Sequence, residues 1–316
     1  MMRILVMGTG GLGGYFGGLF QRAGEDVAFL ARGAHLRALQ ANGLLIKSPD
    51  GDVSLPVRAT DSPEAVGRVD LVLFTVKTYD LDIAGKAVRP AVGPETAVLC
   101  LQNGVEAETR LGAILGPSHI LGGVTYVSGM IEAPGVIRHT GLTGDITFGE
   151  MDGSITSRIR GIEASLRRAG VTTAATEDIT RALWEKFVFI SAMAGMTAVT
   201  RAPMGEIFEH AESRQLFRGL MEEAVAVGRS RGIRLEGTVD RHMTFVQERV
   251  ASDEYDMRAS LYHDLAAGRR IELDALSGAV VRLGREAGVP TPLSFAIVAA
   301  LRPYERRAAA AYAGSR

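Results

Sequence analysis

The sequence predicts an α/β fold in which an N-terminal, doubly wound parallel sheet is followed by an all-α C-terminal domain. Short, continuously apolar runs alternate with helical patterns in the first half of the 316-residue chain, as expected for parallel strands covered on both faces. Long helical patterns take over in the second half. Glycine follows the same division, because 25 of the 38 glycines precede residue 159 and helix interiors disfavour glycine.

Strands and helices alternate along the first half in the order that a parallel sheet with helical crossovers requires. The predicted strands are Arg3–Met7, Val27–Leu30, Leu71–Val76 and Ala97–Leu101. The predicted helices that follow them are Leu12–Ala23, Ala34–Asn42, Asp80–Val88 and Val105–Leu115. Further strands are predicted within Gly43–Pro56, as a hairpin about Ser48-Pro49-Asp50-Gly51, and within Thr125–Gly149.

The second half is predicted to be helical, with a domain boundary after residue 176. Thr176-Glu177-Asp178 can cap the first long helix, so two domains are expected, residues 1–176 and 177–316. The predicted helices are Asp178–Thr200, Ser213–Arg231, Thr238–Ala251, Asp274–Ala287 and Pro292–Ala311.

Charge and composition argue against a protein that binds nucleic acid, a membrane or a metal ion. Lys and Arg number 35 against 36 Asp and Glu, so the chain lacks the strong field that binds nucleic acid or an anionic membrane. Cys100, the single cysteine, lies in an apolar strand and fits a buried thiol in a reducing compartment. The six histidines show no metal-ligand spacing, and the longest apolar stretch, Phe187–Val199, is too short to span a bilayer. A cytoplasmic protein without metal is expected.

A glycine-rich loop connects the first predicted strand to the first helix. Gly8-Thr9-Gly10-Gly11-Leu12-Gly13 has the G-x-G-x-x-G spacing, in which the first glycine allows a tight turn and the second admits a pyrophosphate. The third glycine lets helix and strand pack closely, and the helix N-terminus favours negative charge. The remaining glycines of the first half are expected mainly in turns. The loop predicts dinucleotide binding.

Arg32 follows the second predicted strand, where an NAD enzyme usually carries an acidic residue for the ribose 2′-hydroxyl. A guanidinium at this place suits a 2′-phosphate, so NADP is favoured over NAD. Lys77 and Asn103 follow two further strands at the edge where doubly wound sheets bind ligands. Either could also be an ordinary loop residue.

Three polar residues of the helical half do not indicate a function on their own. Lys186 heads the most apolar helix, where a lysine can simply extend to the surface, although a desolvated lysine facing a cofactor makes a good proton donor. Ser260 and Glu272 lie in a second helical region and, taken alone, fit a solvated helix surface.

Taken together, these motifs resemble the ketopantoate reductase (2-dehydropantoate 2-reductase) family over nearly the whole chain. The resemblance rests on the glycine loop, Arg32, Thr75-Val76-Lys77, Asn103-Gly104 and Trp184-Glu185-Lys186 in the family order. It continues through Ser260-x-x-x-Asp264 and Gly268-x-x-x-Glu272-x-Asp274-x-x-x-Gly278. It implies a Rossmann-type NADPH domain, an all-helical domain for substrate and dimerisation, and a 2-oxo acid reduced in pantothenate biosynthesis.

The resemblance also implies residue roles. It makes Lys186 the general acid that protonates the carbonyl oxygen as hydride arrives from the nicotinamide. It implies that Glu272 and Ser260 hold polar groups of the substrate, with Glu272 in the catalytic set. Lys77 and Asn103 would contact both cofactor and substrate. A cation beside the developing alkoxide stabilises charge that exists mainly in the transition state.

The chain departs from the family pattern along the lysine helix. Where well-known members carry asparagines, this chain has Ile190, Ala194, Met204 and Met257, and it contains only two asparagines in all. Residues 186, 190 and 194 share one side of a helix. One wall of the substrate site is therefore predicted to be apolar, and the substrate is expected to be ketopantoate or a less polar analogue.

Two other functions stay open. A related 3-hydroxyacid-type or sugar-acid dehydrogenase shares the glycine loop, but the pattern from Ser260 to Gly278 argues against it. A non-catalytic NADP-sensing protein would not need Lys186 and Glu272. A homodimer is favoured, because two-fold dimers are the commonest assembly and the apolar helical half could supply an interface.

Overall fold

The alternating runs of the first half form one twisted sheet. The computed structural model describes residues 1–251 and 256–314, with the backbone alone at 141–143, 251 and 306–314. The strands are β1 (Arg3–Met7), β2 (Asp26–Leu30), β3 (Leu44–Lys47), β4 (Val53–Leu55), β5 (Arg58–Thr60), β6 (Val69–Phe74), β7 (Val92–Cys100), β8 (Ile120–Ala133), β9 (Val136–Glu150) and β10 (Thr173–Ala175).

Helices flank these strands and then replace them. They are α1 (Gly11–Arg22), α2 (Gly33–Asn42), α3 (Leu81–Val88), α4 (Ala107–Leu115), α5 (Ser157–Arg168), α6 (Ile179–Thr200), α7 (Met204–Glu209), α8 (Ala211–Ser230), α9 (Thr238–Ala251), α10 (Ser260–Ala266), α11 (Ser277–Ala287) and α12 (Pro292–Gly314). From Leu183 onward, every regular element in the described ranges is a helix. The predicted fold class is confirmed.

The strand order is β4-β3-β9-β8-β7-β6-β1-β2-β5, with β10 beside β9. From β8 to β5 all neighbours are parallel, as predicted for a doubly wound sheet. The sheet as a whole is nevertheless mixed, because β8 and β9 form a long antiparallel hairpin and β3 pairs antiparallel with β4. The predicted hairpin within Gly43–Pro56 is the β3–β4 pair, and Gly135, with φ +78°, closes the β8–β9 turn.

Both faces of the central strands are buried, which explains their continuous apolar runs. Ile4 and Val6 of β1 belong to the core on one face of the sheet, and Leu5 and Met7 belong to the core on the other. All four side chains are at most 1% exposed. Covering both faces therefore removes the alternation of apolar and polar residues that a half-exposed strand would show.

Several glycines of the first half serve helix packing, where the sequence analysis expected mainly turns. A Cβ on Gly17 of α1 would lie 2.6 Å from a ring carbon of Phe29, and a Cβ on Gly18 would overlap Cδ1 of Ile46. A Cβ on Gly14 would lie 2.7 Å from Cγ1 of Ile137. Glycine is needed along this helix because α1 lies directly against the sheet.

The chain divides into two compact units. One comprises Met1–Gln102 with Glu106–Ala182, and the other comprises Asn103–Val105 with Leu183–Arg316. The division falls inside α6, after Ala182, rather than at the predicted boundary after residue 176. Asp178 caps α6, since its Oδ1 accepts a hydrogen bond from the Arg181 backbone N–H at 3.3 Å.

Helix α6 is the one helix in the described ranges that is long and apolar enough, by length and composition, to cross a membrane. Its most apolar window is 78% buried within the protein. Length and composition are therefore weak evidence for a membrane span, since core helices pass the same test.

Candidate active site

The glycine loop is fixed by backbone contacts between β1 and α1. Gly8 has φ +105°, and a Cβ there would lie 2.8 Å from Cγ1 of Val76, at the end of β6. The Gly10 N–H donates to the Gly8 carbonyl at 2.8 Å. Thr9 is buried and donates through both its N–H and its Oγ1 to the Leu30 carbonyl, at 3.1 and 2.9 Å. The loop is thus attached to the ends of β2 and β6.

The other positions of the motif have distinct surroundings. A Cβ on Gly13 would overlap the Gly8 carbonyl, and Thr75 donates to that carbonyl through Oγ1 at 2.8 Å. A Cβ on Gly11 would overlap the Gly129 carbonyl of the β8–β9 hairpin. Leu12 packs against the apolar core, whereas nothing lies within 4 Å of the place where a Cβ on Gly10 would stand.

The N-terminus of α1 is chemically suited to an anion. Its first turn carries no acidic side chain, and no side chain caps it. The partial positive charge of the helix end and its orphan N–H groups are therefore unmatched by the protein there. Together with the open face of Gly10, this fits a pyrophosphate held by backbone N–H groups.

Arg32 precedes α2 and is exposed to solvent. In the part of the chain that the structure describes, no carboxylate forms an ion pair with its guanidinium. The first turn of α2 also lacks an acidic residue. The guanidinium and the helix N-terminus thus place positive charge where β2 ends, beside the loop that Thr9 attaches to Leu30.

His35 is a residue that the sequence analysis missed. Its Nδ1 accepts a hydrogen bond from the Gly135 N–H at 3.1 Å, which ties α2 to the turn of the β8–β9 hairpin. Burial lowers the pKa of His35. The histidine thus joins α2 to the hairpin turn, and no sequence motif marks it.

Lys77 follows β6 and is half-buried at the start of a 3₁₀ turn, Thr78–Asp80. Its neighbour Val76 contacts Gly8, so Lys77 lies at the glycine-loop edge of the sheet, as predicted. Gln102, also missed by the sequence analysis, donates to the carbonyls of Phe74 and Val76 at 3.0 and 3.3 Å. The ends of β6 and β7 are thereby held together.

Lys186 lies in α6 and is only 8% exposed. Trp184 and Phe187 on either side pack into the helical core, with ring centroids 5.4 Å apart. Burying an ammonium group in such surroundings is costly unless it has a role or a partner, and Lys186 does make a polar contact. Its seclusion agrees with a proton donor better than with a lysine that extends to the surface.

Beyond Lys186, the same side of α6 is apolar. Ile190 is half-buried and Ala194 is buried, at one and two turns from the lysine. The polar side chains between residues 187 and 200 are three hydroxyls, each of which donates to a carbonyl of its own helix. These bonds are Ser191 to Val188 at 3.4 Å, Thr197 to Met193 at 2.8 Å and Thr200 to Met196 at 2.7 Å.

Met204 and Met257 continue this apolar surface and are joined through their backbones. The Met204 N–H donates to the Met257 carbonyl at 3.0 Å, and the Ala259 N–H lies 3.4 Å from Thr197 Oγ1. The first bond attaches the segment before α10 to the start of α7, and the second attaches it to α6. Ser260, the first residue of α10, is exposed.

Glu272 does not lie on a helix, and the prediction of a helical region there is wrong. Helix α11 begins only at Ser277, and Glu272 precedes a 3₁₀ turn, Leu273–Ala275. The backbone of Leu276, with φ −111° and ψ −107°, separates this turn from α11. Glu272 is 9% exposed.

Asn103 lies in the helical unit, next to the turn that follows Glu272. Gly104 has φ +114°, and a Cβ there would lie 3.0 Å from the Ala275 carbonyl. The close approach explains why glycine follows the asparagine. The structure therefore brings the segment of Asn103 and the segment of Glu272 together.

The remaining candidates for chemistry are weaker. Cys100 is fully buried, and burial together with the charge of Glu108 raises the pKa of its thiol well above the usual value, so it is a poor nucleophile. No group of three or more potential metal ligands occurs in residues 1–251 and 256–314. A cavity of about 130 Å³ between α1 and the β3–β4 hairpin is lined by Tyr15, Arg22 and Asp50 but by none of the predicted site residues.

Two family models match the chain. One, described as ketopantoate reductase PanE/ApbA, matches residues 4–153, and the other, described as the C-terminal part of the same family, matches residues 178–305. A 2-dehydropantoate 2-reductase from Mesorhizobium japonicum is 34% identical, with 95% of this chain and 97% of that protein aligned. One from Halobacterium salinarum is 32% identical over 92% of this chain and 95% of the relative.

Solved structures show the same similarity. The 2-dehydropantoate 2-reductase of Geobacter metallireducens is 35% identical with a TM-score of 0.88, and covers 96% of this chain and 99% of its own. A PanE/ApbA family ketopantoate reductase from Ralstonia eutropha is 33% identical with the same TM-score, over 97% and 99%. A D-mandelate dehydrogenase, solved with NADH and anilino(oxo)acetate, shares the fold at 20% identity and a TM-score of 0.89, over 96% and 98%.

The glycine loop yields a first prediction, because Gly10 and Gly11 differ in what a Cβ would meet. Gly10→Ala is expected to leave the thermal unfolding midpoint within about 1 °C of wild type, since the added methyl group meets no protein atom. It is expected to weaken dinucleotide binding at least ten-fold, because the methyl group blocks the backbone approach to a pyrophosphate. Fluorescence titration with NADPH measures the affinity.

Gly11→Ala is the matched control, and it is expected to lower the unfolding midpoint by several degrees, because its Cβ overlaps the Gly129 carbonyl. If Gly10→Ala bound NADPH as tightly as the wild type, the loop would not be the binding site of the pyrophosphate.

Proposed function

The chain belongs to the ketopantoate reductase family and is an oxidoreductase acting on CH–OH and C=O groups, and we propose that it reduces a 2-oxo acid with NADPH and with Lys186 as general acid. NADPH, when bound, supplies the hydride in the balanced reaction R–CO–COO⁻ + NADPH + H⁺ → R–CHOH–COO⁻ + NADP⁺. The observation that carries the proposal is the burial of Lys186 in the interior of the apolar helix α6.

The residues that would hold the cofactor fit its chemistry. Gly8, Thr9, Gly10, Gly11, Leu12 and Gly13 form the loop, and the N–H groups in the first turn of α1 suit the pyrophosphate. Arg32 supplies a guanidinium without an acidic partner in the described residues, which suits the 2′-phosphate that distinguishes NADPH from NADH. Lys77 and Asn103, which follow adjacent parallel strands, contact cofactor and substrate.

Lys186 donates the proton that completes the reduction. As the carbonyl carbon gains electrons, negative charge develops on the carbonyl oxygen, and a buried ammonium group stabilises that charge and then transfers a proton. Because the lysine is shielded from water, its interaction with the developing alkoxide is stronger than that of an exposed lysine. Glu272 and Ser260 bind the polar groups of the substrate.

The substrate is less polar than ketopantoate. The side of α6 that follows Lys186 presents Ile190 and Ala194, and the three hydroxyls farther along the helix are bonded to their own backbone. The hydroxyl of ketopantoate would lack a partner on this side, and leaving a polar group unpaired in a buried site costs about 1–3 kcal/mol. A 2-oxo acid whose carbon chain bears no hydroxyl avoids that cost.

The protein is further proposed to act in the cytoplasm as a homodimer. The helical unit carries exposed apolar side chains that a second copy could cover, namely Val199, Phe245, Phe295 and Tyr304. Sedimentation velocity distinguishes such a dimer from a 33.6-kDa monomer, which would contradict this part of the proposal.

The choice of NADPH is tested by removing the charge of Arg32. Arg32→Ser is expected to lower kcat/KM for NADPH about 10- to 100-fold, as for the loss of a charge-assisted hydrogen bond, while kcat/KM for NADH changes less than about two-fold. Steady-state assays at 340 nm measure both values. Arg37→Ser, at an exposed position of the following helix α2, serves as control. Equal losses with the two cofactors would contradict the assignment of Arg32.

The role of Lys186 is tested by Lys186→Ala. We expect kcat to fall about 10²- to 10⁴-fold, the usual contribution of a general acid, while the dissociation constant of NADPH stays within about two-fold. Lys86→Ala, at an exposed position of α3, should leave both unchanged. Unaltered turnover in Lys186→Ala would remove the lysine from this role, and a wild-type protein inactive on all 2-oxo acids would favour a cofactor sensor.

The polarity of the substrate is tested with two acids that differ by one hydroxyl, ketopantoate and 3,3-dimethyl-2-oxobutanoate. The compound without the hydroxyl is expected to have the higher kcat/KM, by about 5- to 100-fold, and Ile190→Asn should shift the ratio toward ketopantoate. Ile83→Asn on the exposed face of α3 is the control. Preferred turnover of ketopantoate by the wild type would contradict the proposal while leaving the reductase activity intact.

A further inference from the structure

Two consecutive residues of α9 bind the residue immediately before Lys186. The Arg241 Nη2 donates to Oε1 of Glu185 at 2.7 Å. The His242 Nε2 lies 2.9 Å from the backbone carbonyl oxygen of the same glutamate. Glu185 is therefore held at its side chain and at its main chain by one neighbouring helix.

The bond to the main chain is the less ordinary of the two. Glu185 lies in the interior of α6, where a carbonyl has the N–H four residues ahead as its helical partner. A carbonyl oxygen has two lone pairs and can accept a second donor. Here the donor is a side chain of another helix, so the position and rotation of this turn of α6 depend on α9.

The ring of His242 is held in place by a packing contact with another ring. It lies against the ring of Phe189, one turn beyond Glu185, with centroids 5.0 Å apart and planes inclined by 32°. Phe189 is buried in the helical core. Contact with the core fixes the plane of the imidazole, and a fixed plane gives its N–H a fixed direction.

The imidazole is in the form that this bond requires. Donation to a carbonyl needs a proton on Nε2, which the neutral Nε2–H tautomer carries. Burial lowers the pKa of His242, and the nearby charge of Arg241 lowers it further, whereas the hydrogen bond and the carboxylate of Glu185 raise it. Because burial is the largest of these effects, the histidine is neutral at pH 7, and the contact works without a buried charge.

We propose that His242 is a positioning residue for the proton donor, fixing the turn of α6 that presents Lys186 through the Glu185 carbonyl. The inference rests on the proposed function of Lys186. A proton donor must lie within hydrogen-bond reach of the reacting oxygen, and small displacements lower the rate of proton transfer steeply. Arg241 holds the carboxylate of Glu185, and His242 holds the peptide plane that continues directly into Lys186.

The test separates the hydrogen bond from the packing of the ring. His242→Phe keeps a flat ring against Phe189 and loses the donor, whereas His242→Gln keeps an N–H donor near the place of Nε2. We expect kcat to fall about five- to twenty-fold in His242→Phe, with the KM of the oxo acid and the affinity for NADPH within about two-fold of wild type. His242→Gln should recover most of kcat.

A double-mutant cycle with Lys186→Ala shows whether His242 acts through the lysine. His242→Phe should lower kcat in the wild-type background and cause no further loss of the residual rate in Lys186→Ala. An equal loss in both backgrounds, or wild-type kcat in His242→Phe with only a lower unfolding midpoint, would overturn the positioning role. Unaltered kcat in Lys186→Ala alone would instead overturn the proposed function.

A second pair keeps the inference testable if His242→Phe does not fold. His242→Asn places its amide nearer the ring position of Nδ1, so it cannot reach the Glu185 carbonyl as His242→Gln does. The glutamine variant should then turn over faster than the asparagine variant, by about five-fold or more. Equal kcat in the two variants would contradict a role for the bond.

Discussion

The close approach of α1 to the sheet is the constraint on which the N-terminal unit depends. Gly13, Gly14, Gly17 and Gly18 lie where a Cβ would meet the glycine loop, Ile137, Phe29 or Ile46. Because the helix lies so near the strands, its N-terminus opens directly at the edge where β1 ends. Five glycines in a helix of 12 residues cost roughly 1 kcal/mol each in intrinsic propensity. The buried contacts that they permit with Val6 of β1 and Phe29 of β2, on one face of the sheet, offset that cost, so this helix is stable only in its place on the sheet.

The same close approach leaves the loop with mainly backbone groups to offer a ligand. With Gly11 against Gly129 and Gly13 against the Gly8 carbonyl, side chains are excluded from most of the loop, and Gly10 alone faces open space. The groups left to meet a ligand are the N–H groups of the first helical turn, whose partial positive charge no acidic residue offsets. In the helical unit the candidate groups are instead single side chains, Lys186 and Glu272, which are 8% and 9% exposed.

The sequence predicts the parts of this structure that local rules control. The glycine loop and the helix Thr238–Ala251 follow from motif and periodicity, and the latter has the predicted bounds. Helix α5 was within reach of the same rules, because Ile159, Ile162 and Leu166 form an apolar stripe on an otherwise charged segment. The turn after Glu272 could not be predicted by these rules, because no local sequence pattern indicates the unusual backbone conformation of Leu276. His35 and His242 escaped prediction for a different reason: each binds a backbone group distant in sequence, and pairing over such distances leaves no local pattern.

Neighbouring turns of α6 contact their surroundings in two different ways. The turn with Glu185 and Lys186 is bound to α9 by hydrogen bonds, whereas Ile190 and Ala194 pack in or against the apolar core. Hydroxyls farther along the helix are bonded to its own carbonyls, so they take no part in holding the lysine. Changing the side chains at 190 and 194 therefore leaves the bonds between α9 and Glu185 in place. Under the function proposed above, such a helix can change its preferred 2-oxo acid and keep its proton donor, because specificity and proton transfer then depend on different interactions.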